Sequence, residues 1–154
     1  MLSAKIVLIF QGEGMNKKAE KFQNFIKSRH LEQSFVISEH QANGRDFVIF
    51  ESSVSAKKEH LRLMLILEQG LQTVVRMWIR QDQIALKDEK KLLQTVANLN
   101  LNYRSFKFSL DQDYHVVMDW INSSSDGSFD PDLVHFMLGV INRCLLYTSD
   151  AADE

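Results

Sequence analysis

The fold is decided by the stretch Leu61-Arg-Leu-Met-Leu-Ile-Leu67, followed by Glu68-Gln-Gly70 and Leu71-Gln-Thr-Val-Val-Arg-Met-Trp-Ile-Arg80. A leucine at every second position is typical of a strand that buries one of its faces. The central segment predicts a three-residue hairpin loop with its glycine in the left-handed conformation, so that Leu67 pairs with Leu71. A one-residue slip would put arginine and tryptophan among the leucines. The buried face therefore carries Leu61, Leu63, Leu65, Leu67, Leu71, Thr73, Val75 and Met77.

The opposite face of this hairpin mixes charged and apolar side chains, namely Arg62, Met64, Ile66, Val74, Arg76 and Trp78. The same register sets Met64 opposite Val74 and Arg62 opposite Arg76, and like charges in direct opposition are destabilising. A second surface that covered this face would offset the repulsion between the arginines and would shield the apolar side chains from water. Trp, Met and Arg are also enriched at protein contacts. These six residues form the predicted protein-interaction surface, bound by a second copy or an acidic partner segment. The alternative is that a loop, the N-terminal segment or the arginine stems cover the patch within one chain.

Two further hairpins are predicted on either side of the first one. Asn43-Gly44, which suits a type I′ turn, joins strands over residues 34–41 and 45–55. A three-residue loop from Asp111 joins strands over residues 104–110 and 114–121. These loops set three pairs of residues opposite each other: Ile37 with Phe50, Glu39 with Val48, and Phe108 with Val116.

Three amphipathic helices are also predicted. The first covers residues 17–29 and the second residues 88–100, and the third begins at Pro131 with Asp130 as its N-cap. Antiparallel strands with helices on one face predict an α+β fold, a two-layer sandwich of the order α-β4-α-β2-α, with about six strands and three helices. On the first helix the solvent-facing side is predicted to hold Lys17, Lys18, Lys21 and Lys27. The core-facing residues of the other two helices are predicted to be Leu92, Leu93, Val96, Ala97 and Leu99, and then Leu133, Phe136, Met137, Val140 and Ile141.

The composition is that of one ordinary globular domain. The chain has 154 residues, of which 45% are hydrophobic, and no apolar run approaches the ~20 residues that span a bilayer. Its 18 basic and 20 acidic side chains nearly cancel, which gives no field to attract nucleic acid or a membrane surface. We therefore expect no nucleic-acid partner and no membrane partner.

Both ends of the chain are predicted not to be native. The last eleven residues, Cys144-Leu-Leu-Tyr-Thr-Ser-Asp-Ala-Ala-Asp-Glu154, match one reading frame of a transposase adapter used in shotgun sequencing, which implies that the gene is cut near Arg143. The alternative is a natural helix end with a polar tail. Gln11-Gly-Glu-Gly14 can be encoded by a ribosome-binding site, which predicts a start at Met15 and a translated leader over residues 1–14. The alternative is an edge strand over residues 5–10. The predicted domain is then residues 15–143.

No residue pattern indicates catalysis. None of the five histidines stands beside the cysteine or at the helical spacing of a metal site. His115, Asp119 and Ser109 share a predicted strand face, but a nucleophile normally sits at a turn or helix start beside an oxyanion donor. The stretch from Asp126 to Asp132 lacks the alternating ligands and distal Glu of a calcium loop, so helix capping explains it better. We expect no enzyme activity, no catalytic residue, no cofactor and no metal.

The second half of the chain resembles the YbjN-like family. The resemblance is carried by Leu92-Leu-Gln-Thr-Val-Ala-Asn-Leu-Asn100, then Phe106-Lys-Phe-Ser-Leu-Asp111, a valine-rich strand and Asp130-Pro-Asp-Leu133. Its specific part is an Asn-ending helix followed by a Phe-x-Phe-x-Leu-Asp strand, and it spans residues 61–143. The family comprises small bacterial proteins that are labelled as regulators of sensory transduction and have a fold similar to type III secretion chaperones. The resemblance implies a cytoplasmic protein without known catalysis that acts through protein contacts.

Two classes of function follow from these observations. The first is a non-catalytic interaction module, a regulator or chaperone-like dimer that holds a partner protein or itself through the exposed sheet face. The second is a small-molecule sensor or enzyme with a pocket between the sheet and the helices. The predicted core positions are uniformly apolar, which favours the first class.

Overall fold

The computed structural model describes residues 15–56, 59–80 and 88–151, so the predicted leader over residues 1–14 lies outside the described residues. The described residues form α1 (Lys17–Ser28), a short 3-10 turn (Glu32–Ser34), β1 (Val36–Ala42), β2 (Arg45–Ala56), β3 (Glu59–Glu68), β4 (Gln72–Arg80), α2 (Glu89–Asn102), β5 (Lys107–Leu110), β6 (Val116–Ser123) and α3 (Pro131–Ala151). The strands make one antiparallel sheet in the order β1-β2-β3-β4-β6-β5. The predicted α+β class, element order and strand number are confirmed.

Helices α1 and α3 pack on the face of the sheet that carries the leucines, and the core lies between these two layers. Asn16 fixes the start of α1, because its Oδ1 accepts the Ala19 N–H at 2.9 Å and its Nδ2 donates to the Leu67 carbonyl at 3.0 Å. In the core, the rings of Phe22 and Phe50 pack edge to face, with their centroids 5.0 Å apart. Within the described residues, no helix has both the length and the apolar composition needed to cross a membrane.

The β1–β2 hairpin forms as predicted. Asn43 and Gly44 both have positive φ, 53° and 73°, as a type I′ turn requires. Two predicted pairs, Ile37 with Phe50 and Glu39 with Val48, lie opposite each other.

The predicted register of the β3–β4 hairpin is wrong by two residues. Leu67 pairs with Thr73 rather than with Leu71, which is 65% exposed. The loop backbone has partners outside the hairpin: the Gln69 N–H donates to the carbonyl of Asp46 on β2, and the Leu71 carbonyl accepts the N–H of Ser124, which follows β6. A shift by two residues keeps each side chain on its predicted face, so Leu61, Leu63, Leu65, Leu67, Val75 and Met77 are buried.

The β5–β6 register is also displaced by two residues, since Phe108 pairs with Met118 rather than with Val116. The cause is Asp111, whose Oδ1 accepts the backbone N–H groups of Asp113 and His115 at 2.9 Å each. These bonds widen the predicted three-residue loop. A shift by two residues again leaves each side chain on its predicted face of the sheet, and Phe108 is buried.

The predicted inner faces of the helices are partly wrong. Leu93 (52% exposed) and Ala97 of α2 face solvent, because α2 lies beside the edge strand β5 and only its stripe of Leu92, Val96 and Leu99 is covered. On α3, among the residues whose side chains are described, Val134 and Ile141 are buried, and the predicted Met137 and Val140 are partly buried against the core. Leu133 and Phe136 (60% exposed) point away. Both sides of α3 are apolar, so periodicity alone did not select the buried one. The lysine prediction for α1 also fails at one position, since Lys18 is buried while Lys17, Lys21 and Lys27 are exposed.

Candidate protein-interaction surface

The structure places all six residues of the predicted interaction surface on the side of the sheet opposite α1 and α3, which we call the outer face. The leucines of β3 point into the core, so the alternate residues of β3 and β4 point outward. Arg62 is exposed, and the other five are half-buried: Met64, Ile66, Val74, Arg76 and Trp78.

The centre of the outer face is a continuous apolar row across four neighbouring strands. Ile66 of β3 pairs with Ile49 of β2 on one side and with Val74 of β4 on the other. Ile49 is buried, with 8% exposed, and Ile66 and Val74 are half-buried. Val74 in turn pairs with Ile121 of β6, which is 49% exposed. We call these four residues, Ile49, Ile66, Val74 and Ile121, the apolar row.

Arg62 does not lie opposite Arg76, which corrects the predicted like-charge pair. With the observed register, Met64 pairs with Arg76. Arg62 instead forms two hydrogen bonds with Glu51 of β2, from Nε to Oε1 at 2.8 Å and from Nη2 to Oε2 at 3.3 Å. Its guanidinium carbon also lies 4.9 Å from the centre of the Trp78 ring, a cation–π distance. The repulsion that motivated the sequence prediction is therefore absent from this pair of strands.

Arg76 is neutralised by Asp119, which lies directly opposite it on β6. Nε and Nη2 donate to the two carboxylate oxygens at 2.8 Å each, which is the bidentate geometry of a strong ion pair. The hydrogen bond to Asp119 raises the pKa of Arg76 against the opposing effect of burial. Both arginines of the predicted surface thus have a carboxylate partner on the same face.

Trp78 is held in place at both ends of its side chain. Its indole Nε1 donates to Asp111 Oδ2 at 3.1 Å, and Arg62 stacks on its ring. The same Asp111 oxygen accepts from His115 Nδ1 at 3.0 Å. Burial raises the pKa of Asp111, but hydrogen bonds from His115, Trp78 and Asp113 outweigh it, so the pKa lies below its ordinary value. Asp111 is therefore a charged anchor for the Trp78 ring.

The residues that resembled a catalytic triad form separate interactions. His115 is bonded to Asp111, while Asp119 is bonded to Arg76, although Ser109 and Asp119 share the predicted outer face. The calcium-like stretch is a helix start, as expected: Asp130 Oδ1 accepts the backbone N–H groups of Asp132 at 2.9 Å and Leu133 at 3.3 Å.

One group of potential metal ligands occurs among the described residues. Oxygen and nitrogen atoms of Asp111, Asp113 and His115 lie within 4.8 Å of one another. Both Asp111 oxygens already accept two hydrogen bonds each, so a cation would have to displace some of them. We assign no metal to this group.

Three residues of the outer face, Glu51, Asp111 and Asp119, were missed as functional residues from the sequence. Asp119 could not be matched to Arg76, because β4 and β6 are neighbours in the sheet but are separated by α2 and β5 in the chain. Glu51 could have been found by aligning β2 with β3, since the pairing of Glu51 with Met64 puts it one row from Arg62.

Comparison of the chain with protein-family models, with curated proteins and with solved structures finds no match.

Proposed function

We propose that the protein is a non-catalytic interaction module, regulatory or chaperone-like, and that its outer face binds a protein partner. The observation that supports this most is the apolar row, an unbroken line of aliphatic side chains on the side of the sheet away from α1 and α3. Ile49 is buried, Ile66 and Val74 are half-buried and Ile121 is 49% exposed. A sheet face that reaches water is usually polar, so the apolar side chains at the exposed end of the row favour a covering surface.

The polar residues around the apolar row support the same proposal. Arg62, Arg76 and Trp78 are each fixed by a partner within the chain, so their side chains lose little freedom when another surface covers them. Fixed arginine and tryptophan side chains beside an apolar centre are typical of binding hot spots.

The YbjN-like resemblance and the cytoplasmic bacterial location belong to this proposal. They rest on the Asn-ending helix and the Phe-x-Phe-x-Leu-Asp strand, which are α2 and β5 of the fold. The resemblance implies action through protein contacts, which agrees with a binding role for the outer face.

The proposal is tested by measuring binding for two outer-face variants, Trp78→Glu and Arg76→Glu. Native mass measurement reports self-association, and affinity capture from the source bacterium reports other partners. Leu101→Glu is the matched control, because Leu101 is an exposed apolar residue of α2. We expect both outer-face variants to lose binding that the control keeps. Arg76→Glu sets a second carboxylate against Asp119, so circular dichroism checks its folding, and Arg76→Gln, which adds no charge, is measured beside it. If all three proteins bind equally, the outer face is not the working surface.

The second candidate is a small-molecule sensor or enzyme with a site between the sheet and the helices. It is favoured by three polar atoms, Lys18 Nζ, Thr73 Oγ1 and Ser124 Oγ, which are buried without a hydrogen-bond partner among the described residues. Thr73 and Ser124 lie near the same end of the sheet, since Thr73 pairs with Leu67 and the Ser124 N–H donates to the Leu71 carbonyl. The start of α1, with Lys18, is brought to this end by the bond from Asn16 to the Leu67 carbonyl. A small polar compound that raises the melting temperature of the wild type but not of Lys18→Met would support this candidate.

A further inference from the structure

Polar side chains are buried where the start of α1 meets one end of the sheet. Thr73 lies on the core side of β4, and Ser124 directly follows β6. Lys18 is buried in the first turn of α1. The bond from Asn16 to the carbonyl of Leu67, the residue that pairs with Thr73, holds the start of α1 at this end of the sheet. We call Lys18, Thr73 and Ser124 the buried polar cluster.

The buried polar cluster lacks a hydrogen-bond acceptor. Lys18 Nζ, Thr73 Oγ1 and Ser124 Oγ have no partner among the described residues. The first two side chains have no exposed surface, and Ser124 is 8% exposed. An ammonium can only donate hydrogen bonds, and each hydroxyl has a hydrogen to donate. Buried polar groups are normally paired, so these three donors indicate an acceptor that the chain itself does not supply.

The charge of Lys18 also lacks a direct counter-charge. Glu68 and Asp126 act on it from a distance, but neither bonds to its Nζ in the part of the chain that the structure describes. Glu68 Oε2 instead lies 3.7 Å from Arg45 Nη1, and Lys21 Nζ donates to the Asp126 carbonyl, which adds a second ammonium nearby. Burial lowers the pKa of Lys18, as expected for a charge that is not fully compensated. The acceptor that fits an ammonium best is an anion.

The first turn of α1 offers further donors. Asn16 accepts the N–H of Ala19 on its side chain and the N–H of Glu20 on its carbonyl. The N–H groups of Lys17 and Lys18 find no acceptor within the described ranges. In a helix the Cα–Cβ bond tilts toward the N-terminus, so the Lys18 side chain leaves α1 toward the end at which these N–H groups lie. The positive end of the helix dipole favours an anion there.

We propose that the buried polar cluster and the first turn of α1 bind a monovalent inorganic anion of the size of chloride; this inference rests on the second candidate function, whose site and ligand it specifies. The ion is small because the three polar atoms are closed off from solvent, which leaves room for about one water molecule. It is monovalent because Glu68 and Asp126 act on the same place and repel further negative charge. A water molecule would satisfy the hydroxyls but would leave the ammonium without a counter-charge.

The test is the melting temperature of the purified full chain in mixtures of potassium chloride and potassium gluconate at constant ionic strength. Gluconate is too large for the site. We expect the wild type to gain about 3 °C or more for each tenfold rise in chloride above its dissociation constant. Lys18→Met is expected to lose this gain and Thr73→Val to reduce it, whereas Lys17→Met, at an exposed position beside the site, keeps it. Because the ammonium is unpaired without the anion, Lys18→Met should exceed the wild type in stability by more in gluconate than in chloride.

Bromide in place of chloride gives a second readout, since its anomalous scattering marks its position in a crystal. An anomalous peak within hydrogen-bond distance of Lys18 Nζ supports the inference, and water density without a peak overturns it. A melting temperature that does not respond to chloride, or responds equally in the wild type and Lys18→Met, also overturns it. An organic compound that stabilises the wild type but not Lys18→Met, where chloride has no effect, overturns the anion and leaves the second candidate function intact.

Discussion

Asn100 binds both backbone groups of Phe108. Its Oδ1 accepts the Phe108 N–H at 2.8 Å, and its Nδ2 donates to the Phe108 carbonyl at 3.0 Å. Phe108 lies on β5, an edge strand of the sheet, so the amide takes the place that a further strand would occupy. From the sequence, Asn100 was predicted only to lie at the end of a helix. Its bonds to Phe108 could not be predicted, because they depend on α2 lying beside β5.

We expect Asn100→Ala to lower the free energy of unfolding by about 2 kcal/mol, because it leaves the N–H and carbonyl of Phe108 without their partner. Denaturant unfolding measures the loss, and hydrogen exchange at the Phe108 amide is expected to be faster. Asn98→Ala is the matched control on the same helix, where the side chain is exposed. Alanine is the better helix former, so propensity alone would stabilise both variants. An equal change in both would show that the bond to Phe108 makes no specific contribution.

The alternation of buried and exposed side chains along β5 and the residue before it gives a second prediction. Phe106 and Phe108 are buried and Lys107 between them is exposed. Replacing either phenylalanine by alanine is expected to cost about 3 to 5 kcal/mol of unfolding free energy, and Lys107→Ala less than about 0.5 kcal/mol. Thermal or denaturant unfolding distinguishes these values, and similar losses at all three positions would contradict the burial pattern.

The sequence predicted the faces of the strands better than their registers. Alternation with period two put Leu63 inside and Met64 outside, and a two-residue shift cannot change this. The loops of the β3–β4 and β5–β6 hairpins are longer than predicted. The first is held by backbone groups outside the hairpin, and the second by the side chain of Asp111. The ion pair of Arg76 with Asp119 depends on the adjacency of β4 and β6, which no local pattern contains.

Asp111 is expected to stabilise the fold in a pH-dependent way. Its folded pKa lies below the ordinary value of 3.8, so its contribution is present above that pH and is lost as the pH falls through the lower folded pKa. Asp111→Asn removes the charged acceptor, and we expect a loss of about 1.5 to 3 kcal/mol at pH 7. The difference from the wild type should shrink below about pH 4. Unfolding curves at pH 7 and pH 3 measure it, and a difference that is equal at both would exclude a role for the charge.

Lys18 is the one lysine of α1 that the structure buries, and its Nζ has no hydrogen-bond partner among the described residues. Burial lowers the pKa of Lys18, although Asp126 and Glu68 act in the opposite direction. Methionine has a similar unbranched shape and no charge, so it fills the same space without a group that needs a partner.

We expect Lys18→Met to raise the free energy of unfolding at pH 7 by about 1 to 3 kcal/mol, because a buried ammonium without a partner is costly. A lowered folded pKa means that this cost is complete at neutral pH and fades as the pH rises through the folded pKa toward 10.5. The gain should therefore shrink in alkaline solution. Denaturant unfolding at pH 7 and near pH 10 measures it, with the exposed Lys17→Met as control. A less stable Lys18→Met in chloride-free buffer would show that the ammonium is satisfied in the folded chain, and it would remove the unpaired lysine as support for the small-molecule site.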